Sequence, residues 1–491
     1  MKLSHLAAQA QTSALELTGD CDIQSLSADS RDQTNQGLFF CIKGAHVDSH
    51  KYAEQAVKNG AAALVVTEFL PHIKVPQLKV TDDRAAMALI ARAFYGFADA
   101  GMKLIGITGT KGKTTTSYLV KAILERAGYT CGLIGTTGNM IGNQWMNSNL
   151  TTPDPIELHK TLRLMADAGC QYVIMEVSAH AIWMRRLEGL VFEAGCFTNL
   201  SQDHLDFFGT MEAYFNAKRD FFIKNAVKNA VLSLDDPWAT RLVNELKMPK
   251  ISYAICTNAD LFARDIQIEE GGVSFKISLW NEKYYPVQLQ LMGMFNIYNA
   301  LAAAGIGLIL GMEPELICAA LESVNSVPGR AEVLDTNTEY KVVLDYSHSP
   351  DALENILLAI REFIKGRLIV VFGCGGDRDQ GKRPIMGAIA GKMADLSILT
   401  SDNPRAEDPL DILGAIEEGI KPTGGLYEVI ENRREAIKHA LSIAGAGDIV
   451  LLAGKGHETY QEIHGVKRPF DEKVIVNELL EEMKAEGKAN A

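Results

Sequence analysis

Along this chain, short apolar runs alternate with amphipathic stretches, and most runs end in a polar or glycine-rich tip. The first clear run, Gly37-Leu38-Phe39-Phe40-Cys41-Ile42, predicts a buried strand that stops at Lys43-Gly44-Ala45-His46. A helical stretch near residues 52–58 precedes a second strand, Ala61-Ala62-Ala63-Leu64-Val65-Val66. The pattern breaks at Gly96-Phe97-Ala98-Asp99-Ala100-Gly101, which predicts a boundary after a small α/β unit of residues 1–98. A second unit, 99–330, opens with a strand from Leu104, a glycine-rich turn and a helix. Its further strands are expected at 172–177, 194–198 and 230–234, an Ala-rich helix at 298–310 closes it, and Val327-Pro328-Gly329-Arg330 reads as a hinge.

From 331 to 491 strands and helices alternate again, with strands at 341–344, 368–372, 396–400 and 448–453. Their tips are Asp345-Tyr346-Ser347-His348, Gly373-Cys374-Gly375-Gly376-Asp377-Arg378, Ser401-Asp402-Asn403-Pro404-Arg405 and Gly454-Lys455-Gly456-His457-Glu458. Open α/β sheets bind ligands at the carboxyl ends of their strands, so these tips predict a binding edge. The pattern as a whole predicts an α/β protein of three domains.

Composition adds bounds. A chain of 491 residues exceeds what one core supports. Hydrophobic residues at 47% and charged residues at 22% are ordinary for a soluble globular protein. The net charge of -13 argues against nucleic acid as a partner, so phosphate contacts must be local. The eight cysteines are scattered without a CxxC pair, which fits reduced thiols in the cytoplasm rather than a disulfide framework or a zinc site. The N-terminus lacks the pattern of a signal peptide, and no apolar run reaches the ~20 residues needed to span a bilayer.

The strongest chemical signal is Gly106-Ile107-Thr108-Gly109-Thr110-Lys111-Gly112-Lys113-Thr114-Thr115. It follows a strand and opens a helix with apolar positions Leu119, Val120, Ile123, Leu124 and Ala127 and a stop at Gly128. That is the setting of an ATP phosphate loop. Glycines expose backbone N–H groups, the helix N-terminus favours anions, Lys113 reaches the β/γ oxygens, and Thr114 can offer its hydroxyl to Mg²⁺. Ile107 stands where the strict phosphate-loop pattern has its first glycine. A chance glycine-rich turn would not bring strand, Gly-Lys-Thr-Thr and helix into agreement.

Glu176 ends an apolar run, where an unpaired carboxylate is costly and a cation would account for it; the bland alternative is a salt-bridged strand end. Asn199, Asp203 and His204 follow another buried strand. A lone histidine is more often structural, but the polar company of His204 favours a site. Lys218 and Arg219, on the next helix, read by default as a solvated basic face.

These residues resemble the Mur ligase family along essentially the whole chain. The family's variant phosphate loop, T-G-T-x-G-K-T, accounts for Ile107. The likeness continues through Thr151-Thr152-Pro153-Asp154-Pro155, Met175-Glu176-Val177-Ser178-Ala179-His180 and Asn199-Leu200-Ser201-Gln202-Asp203-His204-Leu205-Asp206. It also covers Gly293-Met294-Phe295-Asn296-Ile297-Tyr298-Asn299-Ala300, Pro328-Gly329-Arg330 and Asp345-Tyr346-Ser347-His348-Ser349-Pro350. Within the family, Asp402-Asn403-Pro404-Arg405 resembles the motif of members that add meso-diaminopimelate, since a guanidinium can hold that substrate's far carboxylate. Lysine would present an ammonium there instead.

The resemblance implies a small N-terminal UDP-binding domain, a central P-loop ATPase-like parallel-sheet domain and a C-terminal Rossmann-like domain. It implies an ATP- and Mg²⁺-dependent ligase acting on UDP-MurNAc-L-Ala-D-Glu and meso-diaminopimelate through an acyl phosphate, with domain closure around the substrates. By the same likeness, Gly109, Thr110, Lys111, Gly112, Lys113, Thr114, Thr115, Asn296, Arg330 and Asp345 would bind ATP. Lys113, Glu176, His204 and Lys218 would be catalytic. Thr114, Glu176, His204 and a carbamylated Lys218 would hold metal. Ser30 and His46 match positions near the uridine nucleotide, and Thr151, Thr152, Ser178 and Arg186 match the muramoyl-peptide site. Arg378, Asp402, Asn403, Arg405, Gly454 and Glu458 would hold the incoming amino acid. Two positions depart from the family: Ala179 replaces a frequent Ser, and Met184 stands where some members place a polar residue. Rival readings are a lysine-adding ligase, a folylpolyglutamate-synthase-like ligase, which would lack the N-terminal unit, and a nucleotide-binding regulatory module.

Overall fold

Three sheets organise the chain in the computed structural model, which describes residues 1–12, 14–44, 47–146, 148, 150–269, 271–280 and 282–485. The first sheet has five strands in the spatial order Ala14–Leu17, Gln77–Val80, Ala61–Val66, Gly37–Phe40, Ser25–Ser27. Helices Leu3–Ala10 and Asp83–Phe94 lie against one face through Leu3, Leu6, Ala86 and Ile90, all buried.

The central sheet has twelve strands. Its parallel heart runs in the order Cys131–Gly135, Tyr172–Glu176, Lys103–Thr108, Val191–Phe197, Ala230–Ser233, Lys250–Ala254. Strands covered on both faces read as unbroken apolar runs, and Tyr172–Glu176 is buried at every position. One face packs on helices Lys113–Arg126 and Met294–Ile309, where Ala302, Ala303 and Ala304 allow close approach. The other packs on helices Pro155–Asp167 and Met211–Lys224 through Leu158, Leu162, Phe221 and Phe222. Register fixes the chemistry: Glu176 pairs with Ile107, so the carboxylate ends its strand beside the phosphate loop.

The third sheet has six strands, and Lys341–Asp345, Ile449–Ala453, Leu368–Phe372 and Leu396–Leu399 are successive parallel neighbours in it. All four predicted tips therefore leave one edge. Short strand Glu332–Leu334 joins the same sheet, so the turn 327–330 lies where central and C-terminal sheets meet.

Element limits differ modestly from the sequence reading. The helix expected from 298 begins at Met294, because Gly293 (φ +88°) turns the chain one turn earlier. The antiparallel extension Leu261–Glu269, Gly272–Leu279, Lys283–Leu289 and the hairpin Gly138–Ile141 with Gln144–Met146 were not anticipated. No helix among the described residues is long and apolar enough to cross a membrane.

Candidate active site

The phosphate loop is shaped by backbone that only glycine tolerates. Gly109 (φ +142°) and Gly112 (φ +83°) lie so close to their neighbours that an added Cβ would stand 1.9 Å from Thr198 Oγ1 and 2.3 Å from Asn299 Oδ1. Thr198 Oγ1 donates to Lys111 O (2.6 Å), and Lys111 N donates to Asn199 Oδ1 (3.0 Å), so the next strand tip holds the loop. The first amides of helix Lys113–Arg126 have no carbonyl within the helix and form the kind of cluster that binds an anion. Lys113 Nζ folds over the loop and donates to Gly109 O (2.9 Å) and Thr110 O (2.8 Å), and burial lowers its pKa.

Glu176 is fully buried at 0% exposure. It accepts from Thr114 Oγ1 (3.1 Å), Thr136 N (2.9 Å) and Thr136 Oγ1 (2.9 Å). These donors are neutral, and no ion pair joins Glu176 directly among the described residues; the Lys113 ammonium acts on it through space. A carboxylate and a threonine hydroxyl are the hard oxygen donors that suit Mg²⁺, which takes few protein ligands and completes its shell with phosphate and water. Accordingly, no group of three or more His, Cys, Asp or Glu residues among those described forms a metal cage.

A hydrogen-bonded chain leads away from this carboxylate. Thr136 and Thr151 share a hydroxyl contact (3.1 Å). Thr152 Oγ1 donates to Glu176 O (2.7 Å) and accepts from Ser178 N (3.0 Å), while Ser178 caps the short helix Ala179–Trp183. Arg186 Nη1 donates to Thr152 O (2.6 Å), and its Nη2 rests on the Met184 sulfur (3.4 Å). Thr151, Thr152, Ser178 and Arg186 thus form one surface continuous with Glu176, and Met184 supports the arginine.

His204 has a left-handed backbone conformation (φ +54°), with its ring edge-on to His180 (4.8 Å). Burial and then His204 lower the His180 pKa to about 4. Lys218 is not on a solvated face: it is 1% exposed and donates to Gly109 O (2.8 Å). Burial, then the charge of Lys113, holds its ammonium far below the usual lysine range. Burial disfavours the charged form of a lysine, and the neutral amine is the form that can take up CO₂. Arg219 does pair at the surface, with Glu245.

The junction with the C-terminal domain enters through Arg330, whose Nη2 donates to Thr114 Oγ1 (3.0 Å) and whose guanidinium lies 4.9 Å over the Tyr346 ring. Asp345 secures this corner by accepting from Ala331 N (2.7 Å) and from the Ser347 hydroxyl. Asn296 accepts from Asn299 Nδ2 (2.8 Å), behind Gly112. Tyr346 OH reaches Glu458 Oε1 (3.4 Å), which opens the second cluster. There, Asn403 Nδ2 donates to Glu458 Oε2 (2.8 Å), and Arg405 Nη1 donates to Gly376 O (2.7 Å). The buried Asp402 Oδ2 has no hydrogen-bond partner, and a Cβ on Gly454 would crowd it at 2.6 Å. Arg378 is exposed at the edge of this cluster.

Ser30 lies in the N-terminal unit, its carbonyl accepting from Asn59 Nδ2 (2.9 Å) beside a small cavity lined by Ser27, Asp32 and Phe39. It makes no contact with the central cluster, and His46 is outside the described residues. Thr136 is a site residue that sequence reasoning missed, since Thr136-Thr137 belongs to no motif. Tyr346 and Lys455 stood in quoted tips without an assigned task.

Comparison with known proteins supports one family throughout. A model of the Mur ligase middle domain matches residues 107–307, one of the glutamate ligase domain of Mur ligases matches 329–456, and one of the Mur ligase family catalytic domain matches 22–95. A UDP-N-acetylmuramoyl-L-alanyl-D-glutamate--2,6-diaminopimelate ligase of Clostridium botulinum is 44% identical over 468 residues, covering 94% of this chain and 96% of the relative. One of the same description from Caldanaerobacter subterraneus is 45% identical over 462 residues, covering 94% and 95%. A solved structure of a ligase so described aligns with TM-score 0.67 at 34% identity, covering 94% of this chain and 95% of that one.

Proposed function

The chain belongs to the Mur ligase family, and from that premise we propose that it joins meso-diaminopimelate to UDP-MurNAc-L-Ala-D-Glu at the expense of ATP. The γ-phosphoryl group of ATP passes to the γ-carboxylate of the D-glutamyl residue. The amine of diaminopimelate attacks the resulting acyl phosphate, loses a proton, and the tetrahedral intermediate collapses to an amide with release of phosphate. The chain is a cytoplasmic enzyme of peptidoglycan precursor synthesis on this reading.

One observation carries the proposal: an unbroken series of contacts, Glu176–Thr114–Arg330–Tyr346–Glu458, joins the phosphate loop to the strand tips of the C-terminal sheet. A ligase needs ATP, the carboxylate to be activated and the amine within one such span. In this assignment residues 1–98 receive the uridine end through Ser30 and His46, residues 99–330 hold ATP and the muramoyl peptide, and residues 331–491 supply the amine. Thr151, Thr152, Ser178 and Arg186 orient the peptide carboxylate next to Lys113, which with Arg330 offsets charge on the transferring group. Asn296 and Asp345 contact the nucleotide. Thr114 and Glu176, aided by His204 and a carbamate on Lys218, would hold Mg²⁺, which neutralises phosphate charge when bound. Arg405 and Asn403 receive the distal carboxylate of diaminopimelate, and Glu458 with Asp402 receives its ammonium, beside Arg378 and Gly454.

Incubation with ATP, UDP-MurNAc-L-Ala-D-Glu and diaminopimelate, followed by mass spectrometry, tests this directly. The expected product is the precursor extended by one diaminopimelyl residue; an unchanged precursor would sink the proposal.

A further inference from the structure

We propose that Lys455 is a positioning residue for the incoming amine, acting through Asn403 and Glu458; the inference rests on the ligase reading above. Lys455 stands in the Gly454-Lys455-Gly456-His457-Glu458 tip, is 0% exposed, and is walled by the rings of Tyr460 (5.9 Å) and Phe470 (6.0 Å). Its ammonium has two polar contacts: it donates to Asn403 Oδ1 (3.1 Å) and lies 3.3 Å from Glu458 Oε2.

Those contacts fix polarity. Lys455 Nζ and Glu462 N can only donate, and both point at the same end of the Asn403 side chain, at 3.1 and 2.9 Å. That end is therefore the oxygen, and Asn403 Nδ2 is turned to Glu458 Oε2 (2.8 Å). Glu458 Oε2 is thus occupied, while among the described residues Oε1 has only the long contact from Tyr346 (3.4 Å) and stays open to an incoming ammonium. A cation taken wholly out of water is costly unless it is paired, and an apolar side chain of similar length would fill this space without that cost. The placement is explained by the pair it orders rather than by packing. Without Lys455 the amide oxygen keeps only the Glu462 N–H of these two donors, and Glu458 loses its neighbouring positive charge.

Steady-state phosphate release by the full chain tests this, with ATP, UDP-precursor and diaminopimelate varied in turn for Lys455→Met, Glu458→Gln and the double variant. Lys455→Met is expected to raise KM for diaminopimelate by about tenfold to 100-fold, while KM for ATP and for the precursor stays within about twofold. The double variant is expected to match Glu458→Gln alone, because Lys455 acts through that carboxylate. Equal rises in all three KM values, or penalties that multiply in the double variant, would overturn the proposal. Should Lys455→Met not fold, the comparison of the double variant with Glu458→Gln decides it, since neither leaves a carboxylate without its cation. Wild-type enzyme that releases no phosphate with any acceptor would overturn the ligase reading itself.

Discussion

Arg330 Nη2 donates to Thr114 Oγ1 at 3.0 Å across 216 residues of sequence. The donor ends the turn between the central and C-terminal sheets, and the acceptor begins the helix behind the phosphate loop. One hydrogen bond therefore ties the turn that leads into the C-terminal sheet to the phosphate loop. Replacing Arg330 by Met removes both this contact and the charge over Tyr346. The expected result is a fall in kcat of about 100-fold or more, with the melting temperature nearly unchanged. A fully active Arg330→Met enzyme would show that this bridge has no part in turnover.

Glu176 is fully buried and its hydrogen-bond donors among the described residues are neutral, while Lys113 interacts with it through space. Glu176→Gln keeps the shape and removes the charge, so the protein should fold. The Mg²⁺ concentration giving half-maximal phosphate release should rise about tenfold or more. An unchanged Mg²⁺ requirement would move the metal elsewhere.

Burial and then the charge of Lys113 hold the Lys218 pKa well below the usual lysine range, which favours the uncharged amine a carbamate requires. In buffer stripped of CO₂ the activity should drop severalfold and return on adding bicarbonate. Lys218→Arg, which cannot form a carbamate, should be nearly inactive and indifferent to bicarbonate. Activity that ignores CO₂ in the wild-type enzyme would rule the carbamate out.

His159 is 1% exposed, its Nε2 has no partner, and burial lowers its pKa from 6.5 to about 4. Because the folded pKa is the lower one, the unfolded chain binds the extra proton between these values. Stability is therefore unaffected above pH 6.5 and falls as the pH drops from 6.5 towards about 4, by roughly 3 kcal/mol in all. Melting temperatures of His159→Leu should decline less over that window than those of the natural protein. Parallel declines would assign the acid sensitivity to other groups.

What the sequence made legible is what local pattern encodes. The phosphate loop could be read because Lys103–Thr108, the glycines and Lys113–Arg126 are contiguous, and the four tips because buried strands end abruptly in polar residues. Lys218 was legible only through resemblance; as a helix residue it looked solvated, and its burial follows from how helix Met211–Lys224 seats on the sheet. Thr136 was not legible. It bonds Glu176 because Ile134 pairs with Met175, a register that no short motif records. The antiparallel extension carried a period-two signal in Val273, Phe275, Ile277 and Leu279, all buried, but such alternation falls outside the α/β pattern that dominates the chain. Contacts such as Arg330 to Thr114 depend on domain packing, which spacing alone does not encode.

The specificity claim rests on Arg405, whose guanidinium is anchored by Gly376 O at 2.7 Å in the cluster assigned to the amine substrate. The measurement that tests the account most directly is phosphate release from ATP in the presence of UDP-MurNAc-L-Ala-D-Glu, comparing meso-diaminopimelate with L-lysine as acceptor. Strong release is expected with diaminopimelate and little with lysine. Release with lysine but not diaminopimelate would contradict the role of Arg405, and release with neither would contradict the ligase itself.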